Sequence, residues 1–225
     1  MFVGHYAVSL ACKRLAPKAS LGLLFIAVQF VDILFFPFVL IGIESFVFQE
    51  NFTESTHFDL EFMPYTHSLV AGIYWSAAVY GLFRLLRQGN RVALVMAIAV
   101  LSHWFADLIV HTPDLPLVSD DGVKLGLGLW RNAFLTYALE AAMLIVGLVL
   151  YLRGTEPAGG FASRNGMTGF VVLMLLINAV NIFAPPMDDT VNGIATTALV
   201  MYALLAGVAF WLDRKRTPVK RTQAA

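Results

Sequence analysis

Six stretches of about twenty mostly apolar residues govern what this chain can become, because each is long enough to carry a helix across a ~30 Å hydrocarbon core. They run over 20–43, 67–86, 92–111, 131–152, 167–184 and 192–212. The chain of 225 residues is 59% hydrophobic and 13% charged, with a mean hydropathy of +0.74. Such usage lies well outside that of a soluble domain. The expected fold is therefore all-α, a polytopic membrane bundle of six transmembrane helices.

Charge placement orients these spans. The loop 44–66 carries Glu44, Glu50, Glu54, Asp59 and Glu61 with no Lys or Arg, whereas Arg84, Arg87 and Arg91 bracket the next turn. Basic loops stay cytoplasmic, so the acidic loop faces out. Asp114, Asp120 and Asp121 outweigh Lys124 in the third loop, Arg153 and Arg164 outweigh Glu156 in the fourth, and Asp188 and Asp189 fill the fifth. Arg214, Lys215, Arg216, Lys220 and Arg221 then form a basic, flexible cytoplasmic tail over 214–225, leaving 1–213 as a single membrane domain. The net formal charge is zero, with no basic footprint for nucleic acid. The single cysteine, Cys12, excludes an intrachain disulfide or a multi-cysteine metal cage.

The first sixteen residues are too short to span and lack the order of a removable signal peptide, so they are expected in the mature protein. Residues 2–15 are expected as a short helix, with a turn near 17–19 and Ser20 capping the first span. In such a hairpin His5 and Asp32 stand about equally far from the turn, roughly 20 Å at 1.5 Å per residue. The turn is expected on the cytoplasmic side.

Ionisable residues inside apolar spans are costly and mark functional sites. His103, Asp107 and His111 recur every four positions, within about 80° of arc on one helix face. Counted from the nearest basic anchor, His67 lies seventeen positions from Arg84, His103 twelve and Asp107 sixteen from Arg91, and Glu140 thirteen from Arg153. These spacings correspond to about 18–26 Å above the inner boundary, so five segments deliver an ionisable residue to one layer in the outer half of the membrane.

Imidazole and carboxylate are the common nitrogen and oxygen ligands of zinc and related ions. The rise from His103 to His111 is about 12 Å, too long for one ion to collect all three. Either His103 and Asp107 hold one metal with ligands from other helices, or Asp107 bridges two. Asp32 has no local basic partner, and His67 and His5 match the same depth. The candidate ligands are thus His5, Asp32, His67, His103, Asp107 and His111, with a hydrogen-bonded network or proton relay as the alternative. Glu140 is a ligand, a residue orienting a histidine, or the base for a bound water, and stands with Asp107 as candidate catalytic residue. Ser68 is either a substrate contact or a helix cap. Arg131 and Lys124 at the outer mouth either steady an anion or anchor the interface. Asn178 and Asn181 are expected to pack between helices, and His57 to face solvent. Trp75, Trp104, Trp130 and Trp211 are expected as packing or interfacial aromatics.

With His5 early, Asp32 on the first span, Thr66-His67-Ser68 opening the second and Ser102-His103-Trp104-Phe105-Ala106-Asp107 on the third, the first 115 or so residues resemble the YdjM-like family of membrane-bound metal-dependent hydrolases. The resemblance implies a multi-pass bacterial inner-membrane protein with a divalent-metal site at His5, Asp32, His67, His103 and Asp107. The spacing His103-x3-Asp107-x3-His111 is also loosely similar to the histidine–aspartate–histidine motif of zinc-dependent phospholipase C.

The expected activity is hydrolysis of an ester or phosphoester, with membrane lipid as the natural substrate at that depth. Two other functions stay open: a proton or metal-ion transporter using the same ring, and an assembly protein with a structural metal.

Overall fold

The computed structural model describes residues 1–186 and 189–219; Asp188, Lys220 and Arg221 lie outside the described residues. Eight α-helices are found among them: α1 (Val3–Leu15), α2 (Leu21–Val28), α3 (Phe30–Leu40), α4 (Leu69–Leu85), α5 (Asn90–Val110), α6 (Ala133–Gly154), α7 (Phe161–Phe183) and α8 (Val191–Asp213). Four of them, α5 to α8, are long and apolar enough to cross a membrane, and α2 with α3 forms a fifth such unit if taken as one broken span. The chain is a membrane protein on this ground. Helix α4 is apolar but shorter, at 17 residues.

Caps set several of these boundaries. Ser20, Ser68, Asn132 and Thr190 each accept a backbone N–H three residues on, which satisfies an otherwise orphaned helix donor. Helix α5 stops at Val110, because Pro113 disfavours helical backbone at the residue before it and His111 already has ψ 146°. Helix α7 starts six residues ahead of the apolar stretch expected at 167, with Arg164 and Asn165 in its first turns.

Two features depart from an all-helical bundle with unbroken spans. The stretch expected as one helix over 20–43 bends by 53° between α2 and α3, at Gln29. In addition, three short antiparallel ribbons join loops: β1 (Ser45–Phe48) with β2 (Phe58–Phe62), β3 (Leu115–Pro116) with β4 (Lys124–Leu125), and β5 (Thr155–Pro157) with β6 (Arg216–Pro218). The first ribbon orders the acidic loop. The third ties residues 216–218 of the expected tail to the end of α6, where the Arg216 guanidinium donates to the Thr155 carbonyl and hydroxyl and to the Ser163 carbonyl.

Helix α5 runs through the middle, with 61% of its apolar window buried against about 28–33% for α6, α7 and α8. Around it α1 packs against α2, α5 and α6, and α8 against α2 and α3. Tyr6, Leu10, Leu24, Phe25, Met96, Leu144 and Met174 fill the shared core. The hairpin of α1 and α2 is fastened by Ser9 Oγ donating to the Leu24 carbonyl, 2.9 Å. At its turn Lys13 Nζ lies 2.6 Å from Asp213 Oδ2, and the Tyr151 hydroxyl donates to Asp213 Oδ1, 3.1 Å, joining α1, α6 and α8 at one end of the bundle.

Candidate metal centre

Helix α5 presents His103 and Asp107 one turn apart, both buried. The α2–α3 bend turns Asp32 toward them, and the start of α4 brings His67. Asp32 Oδ1 is 3.1 Å from His67 Nε2 and 3.5 Å from His103 Nε2. Asp107 Oδ2 is 2.9 Å from His103 Nε2 and 3.7 Å from His111 Nε2, and its Oδ1 is 3.1 Å from His5 Nε2. The His5 ring lies flat on that of His103, centroids 3.8 Å apart. All six expected ligands therefore meet in one cluster. His111 belongs to it because its N–H still closes the last turn on the Asp107 carbonyl, 2.9 Å, which sets its ring one turn from the Asp107 carboxylate, and Asp107 bridges to His103 on the other side.

Two groups have donor atoms close enough to share an ion: His5, His103 and Asp107; and Asp32, His67 and His103. The other side of each ring decides which nitrogen is offered. His103 Nδ1 is 2.6 Å from the Val28 carbonyl, which can only accept, so this nitrogen carries the hydrogen. His111 Nδ1 is 2.8 Å from Asp114 Oδ1, with the same consequence. At His67, Nδ1 is 2.8 Å from Thr66 Oγ1, whose hydroxyl donates to Glu44 Oε2, 2.7 Å; the threonine oxygen therefore accepts from the ring. Three rings are thus fixed with Nε2 aimed at Asp32 and Asp107. Metal-binding histidines are oriented in this way by partners behind them.

An Nε2 facing a carboxylate at 2.9 to 3.7 Å is stabilised by a proton or a metal ion between the two, and the Met1 ammonium, 2.7 Å from Asp107 Oδ1, already sets one positive charge beside the cluster. His103 Nε2 and both His5 ring nitrogens are buried without a hydrogen-bond partner among the described residues. Orphaned nitrogens, carboxylates and a nitrogen–oxygen donor set fit a divalent ion such as zinc.

Other expected site residues are placed as follows. Glu140 is buried and lines the cavity beside the cluster, with Oε2 accepting from the Phe2 and Gly4 N–H groups at 3.1 and 2.9 Å. It therefore caps α1 as well as facing the site. The Met1 nitrogen lies 2.7 Å from Asp107 Oδ1. Ser68 Oγ accepts from Ala71 N–H, 3.0 Å, and serves as the cap of α4. Arg131, exposed in a 3₁₀ turn (Leu129–Arg131), is not brought to the cavity, and Lys124 pairs with Asp120 at 2.9 Å. His57 does not face solvent freely: half-buried, it stacks on Phe48 and lines the cavity rim, because the β1–β2 ribbon folds the acidic loop over the site. Asn178 is fully buried, whereas Asn181 is exposed at the cavity.

Four contributors lay outside the expected set. Glu44 looked like any other loop acid, Asp114 and Trp130 like loop and interface residues, and Tyr202 like an apolar-span aromatic. Yet the Tyr202 hydroxyl donates to Asp32 Oδ2, 3.1 Å, and the Trp130 ring lies 4.1 Å from that of His111. The cluster forms the polar floor of a cavity of about 350 Å³, walled by Phe35, Phe36, Ile177, Ile194 and Met201 among others.

No family model matches this chain, and no curated protein or solved structure matches it either.

Proposed function

We propose that this protein is a metal-dependent hydrolase of the bacterial inner membrane, acting on an ester or phosphoester drawn from the lipid phase. The observation that carries the reading is the convergence of three Nε2 atoms, each ring fixed from behind, on the carboxylates of Asp32 and Asp107. Because His103 Nδ1 is committed to Val28, His103 has one lone pair to give, and both ligand groups need it. One ion held by residues from the two groups is then the simplest occupancy, and zinc suits this donor set.

Asp32, His67, His103 and Asp107 would hold the ion, with His5 and His111 as additional ligands. When bound, such an ion lowers the pKa of its water to about 7 and polarises the bond under attack. Glu140 keeps Oε2 on two N–H groups and accepts a proton through its other oxygen. Tyr202 steadies Asp32 and turns a phenol toward the cavity. The dry, apolar walls limit competing water.

The topology in this reading has six spans, with α4 as the short one, and the hairpin turn and the basic chain end in the cytoplasm. The resemblance of His5, Asp32, His67, His103 and Asp107 to the YdjM-like family is what suggests this reading from the sequence side.

A broken span beside the cluster favours a second reading. Transporters place unwound helix at ion sites, and Asp32 lies three residues past the α2–α3 bend. Elemental analysis of detergent-purified protein, followed by hydrolysis of mixed membrane lipids with and without chelator, tests the first reading. Zinc in the wild type and chelator-sensitive turnover are expected. Folded, metal-free protein overturns the metal centre; zinc with no turnover, together with metal or proton flux in liposomes abolished by Asp107→Asn, replaces the hydrolase by the transporter.

A further inference from the structure

We infer that the cleft between α7 and α8 is a lateral portal through which the acyl chain of a membrane lipid reaches the metal centre from the bilayer. This deepens the hydrolase reading and rests on it. Ile177, Val180 and Asn181 line the cavity from α7 at helical spacing, with Ile182 beside them and Ala184 at the helix end, and Ile194, Thr197, Ala198, Met201 and Tyr202 line it from α8. Residues 177, 180 and 181 share one face of α7, and the α8 set is one face of its helix. Val180, Asn181 and Thr197 are exposed, so the cavity is open on the side where these two faces meet.

The surroundings of that opening identify the occupant. Helices α7 and α8 are both long and apolar enough to span a membrane, so a gap between them faces lipid. At the inner end of the cleft, Tyr202 bonds Asp32, which places the apolar channel and the cluster in one continuous space. A cavity of about 350 Å³ stands at the lower end of the roughly 300–1,000 Å³ of ligand sites. Among the described residues, no Lys or Arg lines it, and the Met1 ammonium that does is paired with Asp107 Oδ1 at 2.7 Å, so the polar end of the lipid is left to the cluster. An acyl chain in the cleft with its ester at the floor satisfies both halves. A water-soluble ester would leave the apolar half unfilled.

The test uses a phosphatidylglycerol bearing a diazirine midway along one acyl chain, reconstituted in vesicles with chelator-treated full-length protein and photolysed. Crosslinks are expected on residues 177–184 and 194–202, and their loss in both Ala198→Trp and Thr197→Trp. Leu176→Trp, on the exposed outer side of α7, is expected to leave them in place. Zinc content of each variant after reloading reports that the centre is intact. Crosslinks confined to outward residues such as Leu176 and Leu204, with zinc retained, overturn the portal and leave the hydrolase reading standing. Cleft crosslinks in a protein that binds no zinc do the reverse. Crosslinks that survive both cleft variants also overturn it.

Discussion

The Val28 carbonyl, at the bend of the first span, accepts a 2.6 Å hydrogen bond from His103 Nδ1. The break in the span and the orientation of the metal centre are therefore one feature. A carbonyl at a bend is free to meet a side chain from another helix, and it dictates which tautomer His103 adopts. Nitrogen-15 NMR of labelled histidine is expected to show Nδ1–H at His103, with the Nε2 resonance moving on zinc addition. His103→Ala is expected to lose zinc to background while His57→Ala keeps it, as read by elemental analysis. Equal zinc in both variants would remove His103 from the centre.

Glu44 acts on the centre through the Thr66 hydroxyl, and this gives the site a pH dependence with a definite sign. Burial pushes the Glu44 carboxyl above its ordinary value of 4.5, against the donors at Tyr65 and Thr66. As pH falls through that raised value the carboxylate is protonated and stops accepting from Thr66. Thr66 then no longer takes the His67 Nδ1 hydrogen, and zinc affinity falls. Stability runs the other way: what Glu44 contributes is complete below the ordinary glutamate value and declines as pH rises through the raised one. Glu44→Gln is expected to weaken zinc binding about 10–100-fold, the usual effect of a partner behind a ligand, and to flatten both profiles. Calorimetric titrations across pH check it; an unchanged affinity profile would disconnect Glu44 from His67.

The residues of the cluster were legible in the sequence because each is an ionisable residue in an apolar segment, at a depth that the chain's own geometry measures. Asp32, His67, His103 and Asp107 all declare themselves in that way. The residues behind them do not. Glu44 is one of five acids in its loop, and only the β1–β2 ribbon and the Thr66 contact show that it is the buried one. Tyr202 carries no charge, so its place in an apolar helix costs nothing visible until Asp32 is found beside it. The Val28 contribution is a backbone atom, and its only trace is a polar Gln29 inside an apolar run. The pairing of Lys13 with Asp213 left no trace in the sequence, since it joins positions 200 apart.

The Lys13–Asp213 pair should govern stability without touching the metal centre. It is about one-tenth exposed at each side chain, and Asp213 also receives the Tyr151 hydroxyl and the Leu21 N–H. Removing one partner of a buried pair leaves the other uncompensated, at a cost of about 3–5 kcal/mol. Asp213→Asn is therefore expected to lower the thermal midpoint in detergent clearly, with zinc per folded chain unchanged. Replacing Lys13 and Asp213 together by Met and Leu is expected to recover part of the loss. A drop in zinc per folded chain would mean that the pair positions the site.

Gly147 on α6 sets how closely α1 can approach, and through α1 it sets the position of His5. A Cβ at this position would lie 2.7 Å from the Ala7 carbonyl oxygen and 2.9 Å from Ala7 Cα, atoms of a helix backbone that cannot swing aside. Small residues allow this kind of contact between membrane helices. Gly147→Val forces α1 outward, which loosens the Phe2 and Gly4 bonds to Glu140 and moves His5 off His103. Overpacking of this kind costs about 1–3 kcal/mol, and zinc affinity should fall with it. Gly81 on α4 has nothing within 4 Å of its Cβ direction, so Gly81→Ala should leave zinc affinity unchanged and raise helix stability by up to about 1 kcal/mol. Thermal midpoints and zinc titrations of the two variants, made side by side, decide the point. If Gly147→Val keeps wild-type zinc affinity in spite of a lowered midpoint, His5 is a neighbour of the centre and not one of its ligands.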